Sequence, residues 1–96
     1  MLESFEVETF ESRLGETFRI QADTEWVEAT LTEATPVGEG TEGRRAPFSI
    51  VLRVPGDRVL PQQIYGVAHA GIGEFELFLV PIGPDGEGMR YEAVFG

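Results

Sequence analysis

The C-terminal stretch FELFLVPIGPDGEGMRYEAVFG, residues 75–96, is the strongest structural signal in the chain. Two apolar, alternating runs flank a segment of glycine, proline and aspartate, the pattern of a β-hairpin. Asp85-Gly86 invites a two-residue type I′ turn. That turn would set Leu79 opposite Glu92, Leu77 opposite Val94 and Phe95 opposite Glu76, so neither face would be apolar. A loop of three or five residues moves the pairing by one position. Leu79 then faces Ala93, Pro81 faces Tyr91 and Leu77 faces Phe95, and one face becomes consistently apolar. This second register is the expected one. On its other face it leaves Phe78, Val80 and Val94 beside Glu92, a candidate interaction patch that some part of the chain or a partner must cover.

Upstream, glycine and proline divide the sequence into further short runs with a period of two. TFRIQA (17–22), WVEATLTEAT (26–35), PFSIVLRV (47–54) and IYGVAH (64–69) read as four strands, with EFELFLVPI (74–82) and MRYEAVF (89–95) completing six. The segments between them are too short, and too poor in helical period, for parallel crossovers. A single flat sheet of six such strands would leave an apolar face and two edges in water. The expected fold is therefore mainly β: a six-stranded antiparallel meander forming a small barrel or strongly bent sandwich. Gly66 is the expected point of bending, and no internal repeat is evident. One short N-terminal helix is predicted over about residues 8–14, with Val7, Phe10 and Leu14 as its apolar stripe and Gly15 as its stop. That stripe is expected to dock near Phe78, Val80 and Val94.

The 96 residues are enough for one domain, 1–96, and an apolar fraction of 42% supports a folded core. Net charge is −10, lysine is absent, and eleven of the 17 carboxylates lie within residues 1–42. A nucleic-acid or anionic membrane surface selects the opposite charge, so neither is an expected partner. The expected partners are another protein or a second copy of the chain. The N-terminus lacks the basic, apolar pattern of a signal peptide and no run is long enough to span a membrane, which predicts a cytoplasmic location.

Candidate chemistry is sparse. With no cysteine, there is no disulfide, thiolate metal site or thiol nucleophile, and the lone histidine, His69, cannot build a multi-histidine centre. No serine lies in a nucleophile-elbow motif. PDGEG places Asp85 and Glu87 in a loop but lacks the remaining acidic ligands of a calcium site, so it reads as a turn. Arg44-Arg45 is the only basic pair. No catalytic residue, metal or cofactor is assigned, and the expected role is a non-enzymatic structural or protein-interaction module. The alternative, a small-ligand or carbohydrate-binding module or a small hydrolase, would use a face containing Trp26, Tyr65, Tyr91 and His69.

The motifs LGETFR (14–19), FSIVL (48–52), LPQQIY (60–65), LFLVPIG (77–83) and YEAVF (91–95) resemble those of an uncharacterised family of small bacterial proteins. The family pattern reads LxGxxFR, FSLxF, LPQxxY, LFLVPxG and YEAVF. Departures at Ile50, Leu52 and GVAHAGIG (66–73) keep strand character. The resemblance carries no catalytic signature. It implies an accessory or structural subunit of a fibre-like or phage-tail-like assembly.

Overall fold

The structure, a computed structural model, describes residues 5–38, 46–56 and 58–96; Arg44 and Arg45 lie outside the described residues. The elements run α1 (Val7–Glu11), β1 (Thr17–Ala22), β2 (Glu25–Pro36), β3 (Phe48–Val54), β4 (Gln63–His69), β5 (Gly73–Pro84) and β6 (Met89–Phe95). Each expected strand is present, and the six close into an antiparallel barrel in the order β1-β2-β3-β6-β5-β4. Closure leaves no free sheet edge. Alternate residues point inward, among them Phe18, Ile20, Leu31, Ile50, Leu52, Val67, Leu79 and Tyr91, all of them fully buried.

The expected meander holds within each half, β1–β2–β3 and β4–β5–β6, but does not run through all six strands. β3 pairs with β6 and β4 with β1, so β4 does not lie beside β3. The two halves share a plan that their sequences barely display. Each has a middle strand of 12 residues between shorter ones. Each middle strand carries one irregularity, between Leu31 and Glu33 in β2 and between Pro81 and Gly83 in β5. Both middle strands end at a Pro-x-Gly-Glu-Gly sequence, starting at Pro36 and at Pro84, 48 residues apart. These two bulges supply local bending that was expected at Gly66. Gly66 itself lies in unbroken register, opposite Gln21 and opposite Glu76.

In the last hairpin, Val80 pairs with Glu92 and Pro81 with Tyr91, the register that the burial pattern required. The loop reaches that register by another route. Beyond the bulge, Gly83 pairs with Arg90 and Pro84 with Met89, leaving residues 85–88 as the turn. The Asp85 carboxylate accepts a 2.9 Å hydrogen bond from the Glu87 amide and sits 3.3 Å from the Arg53 guanidinium. That amide bond, followed by the arginine, holds the Asp85 carboxyl below its ordinary range.

The helix is shorter than predicted, Val7–Glu11, and it docks elsewhere. Five residues form too short a helix to persist alone, so its placement depends on packing. Phe10 enters one mouth of the barrel, surrounded by Phe5, Phe18, Phe48, Phe75 and Phe95. Leu14, by contrast, is 49% exposed. Phe10, with Val7 packed against the core, therefore plugs the interior instead of lying on the outer face of Phe78 and Val94. Burying one phenylalanine completely among five others removes more apolar surface from water than laying it on a flat sheet. The amide of Gly15 (φ +87°) donates to the Leu31 carbonyl at 2.8 Å, and the Leu31 amide donates to Glu16 at 3.1 Å, fastening the helix exit to β2.

Candidate interaction surface

The four residues of the expected ligand face lie in separate places. Tyr65 and Tyr91 are buried and tie the β3–β4 connection across the end of the barrel opposite the helix. The Tyr91 hydroxyl accepts the Leu60 amide at 2.8 Å and donates to the Arg58 carbonyl at 3.4 Å, while the Tyr65 hydroxyl donates to Pro61 at 2.5 Å. Burial, reinforced by Tyr91 and Asp23 and partly offset by Arg58, pushes the Tyr65 phenol up. These hydroxyls are structural partners of a linker whose Leu60 is buried while Arg58, Val59 and Pro61 stay exposed. Tyr91→Phe is expected to lower stability by about 1–3 kcal/mol, because it strands the buried Leu60 amide. Urea denaturation checks this, and a loss below about 0.5 kcal/mol would show the amide finding another acceptor.

His69 lies at the other end, its ring 4.4 Å from that of Phe18. Its Nδ1 accepts the amides of Gly71 (2.9 Å) and Ile72 (3.3 Å), which leaves Nε2 to donate to Glu16 at 2.7 Å. Both nitrogens are engaged in holding the β4–β5 turn to the segment before β1. Trp26 alone of the four faces outward near open surface, 40% exposed, with the Arg19 guanidinium 5.3 Å from its ring centre.

The outer face of β4–β5–β6 carries the expected patch. Phe78 is 50% exposed and Val94 64%, with Val80 and Glu92 half-buried between the strands. Ile64, 62% exposed, pairs with Phe78 across β4 and β5 and extends the patch by a third strand. The sequence concealed Ile64, since its partner is set by the three-residue turn Ala70-Gly71-Ile72, which joins His69 to Gly73. Phe78 on β5 and Val94 on β6 lie just beyond the Val80–Glu92 pair, on the same outward face. Carboxylates border them: Glu92 beside Val80, and Glu76 two residues from Phe78 on the same face.

A second feature adjoins it. On the row Trp26–Gln21–Gly66–Glu76, crossing β2, β1, β4 and β5, the glycine leaves a dip of about 250 Å³ lined also by Glu74. Among the described residues no group of three or more histidine, aspartate or glutamate side chains could hold a metal ion, and no helix is long and apolar enough to cross a membrane.

These features define a closed six-stranded antiparallel barrel plugged by a short helix. The chain belongs to the family described as a domain of unknown function, DUF6916, whose model matches residues 5–95. No curated protein and no solved structure matches it.

Proposed function

We propose that this chain is a non-enzymatic interaction module that docks another protein on the outer face of β4–β5–β6. The observation that supports it is the exposure of Ile64 and Phe78, paired across β4 and β5, together with that of Val94 on β6. Scattered apolar residues on a surface need no explanation, whereas a contiguous group on a rigid sheet is a place where burial by a partner releases free energy. A closed barrel offers no edge for strand addition, so a partner engages side chains on the face. The finer role, an accessory subunit of a fibre-like or phage-tail-like assembly, draws on the family resemblance.

Size-exclusion chromatography with light scattering, on the protein alone and mixed with the products of its neighbouring genes, tests the proposal. Assembly is expected, and Phe78→Thr is expected to abolish it while changing unfolding free energy by less than about 1 kcal/mol, since threonine keeps strand propensity at an exposed site. A protein that stays monomeric and unassociated in every mixture, or an assembly indifferent to Phe78→Thr, would overturn it.

A further inference from the structure

Nothing in the backbone of β4 asks for glycine at position 66. Its pairing with Gln21 and Glu76 is continuous, and it is not among the glycines with positive φ. Glycine inside a strand weakens it, by about 0.5–1 kcal/mol relative to alanine. A β-carbon there would meet only the side chain of Gln21, with Oε1 at 3.3 Å and Cβ at 3.7 Å. Gln21 is exposed and its amide end can swing away. What glycine supplies is an outer face without a side chain, the usual mark of a strand that another group approaches closely.

The walls differ in chemistry. On one side stand Trp26 and Gln21, on the other Glu74 and Glu76. Among the described residues, neither of these carboxylates has an ion-pair or hydrogen-bond partner. Arg19, on β1, has its guanidinium over the Trp26 ring, which shows that this indole accepts a guanidinium. We propose that this groove binds an extended segment of a protein partner carrying lysine or arginine. The segment's cation meets Glu74 and Glu76, its aliphatic stem lies against Trp26, and its backbone passes over Gly66. A second copy is a poor occupant, because two chains of net charge −10 repel. This rests on the interaction-module reading and names the partner's chemistry.

Trp26 is the only tryptophan, so its emission reports on the groove directly. The full chain is titrated with a short synthetic peptide alternating threonine and lysine, with a threonine–glutamate counterpart, and with neutral oligosaccharides. A saturable, salt-sensitive change is expected with the lysine peptide alone. Gly66→Val should weaken it about tenfold or more, although the variant keeps every charge and unfolds at the same or a higher temperature. Glu74→Gln with Glu76→Gln should weaken it similarly. Glu6→Gln with Glu11→Gln, which removes equal charge from the helix region, should change it less than about twofold, a difference within the range of exposed charges. An equal response to the glutamate peptide, a response to the sugars instead, or binding that follows total charge and ignores Gly66→Val would overturn the proposal. Phe78→Thr keeps the two ideas apart: assembly lost with the peptide response intact, or assembly present with no peptide response, assigns success and failure to separate surfaces.

Discussion

Gly88→Ala is expected to destabilise the barrel by more than about 3 kcal/mol, the range of severe overpacking. The cause is space, since Gly88 is not among the glycines with positive φ. An added β-carbon would overlap the Val54 carbonyl oxygen and lie 2.8 Å from its carbon and 3.0 Å from the Pro55 α-carbon. These are backbone atoms at the end of β3, where Val54 pairs with Met89, and no side-chain rotation can clear them. Relief requires parting β3 from β6 or displacing the 85–88 turn that Arg53 clasps through Asp85 and Glu87. Gly86 is the comparison. It has φ +91° with nothing within 4 Å of an added β-carbon, so Gly86→Ala should cost only the left-handed backbone penalty of about 1–2 kcal/mol. Urea unfolding of both variants decides, and equal losses would refute the steric account.

Phe10→Ala should cost about 3–5 kcal/mol, the usual range for truncating a fully buried phenylalanine. Its ring centre lies 5.3 Å from that of Phe95, 5.6 Å from Phe5 and 5.9 Å from Phe48. Truncation removes the partner that these rings share and opens the barrel mouth, which the strands are too constrained to refill. In a domain of this size each kcal/mol lowers Tm by about 4–8 °C, so thermal unfolding should register a large shift. Leu14→Ala, at the exposed end of the same stripe, should stay within about 0.5–1 kcal/mol. If Phe10→Ala behaved like Leu14→Ala, the helix would be an appendage to the core instead of its plug.

The strands were readable because each side chain's burial is decided by the parity of its position, which needs no knowledge of distant neighbours. β1 coincides with TFRIQA, and the hairpin register followed from asking which pairing gathers Leu77, Leu79, Ala93 and Phe95 on one face. The bulge at Ile82 was not readable, since a wider loop and a bulge with a turn of four residues give the same register further along the strands. Placing the helix failed for a related reason. Val7, Phe10 and Leu14 show an apolar stripe, but which hole receives Phe10 depends on where the barrel closes. The aromatic residues of the expected ligand face scattered because alternation says that Tyr65 and Tyr91 point inward without saying which end of the barrel they meet.

Composition and alternation by themselves determined an acidic, mainly β chain of six antiparallel strands, with Phe78, Val80 and Val94 on an outward face, because these properties are local or additive along the sequence. Closure of β1 on β4, the two-halved plan, the burial of Phe10 and the adjacency of Ile64 to Phe78 and of Gly66 to Glu76 were decided only in three dimensions. Each depends on pairing between residues far apart in the chain, and such pairing is selected by the free energy of the whole barrel, in which every strand must find two neighbours at once.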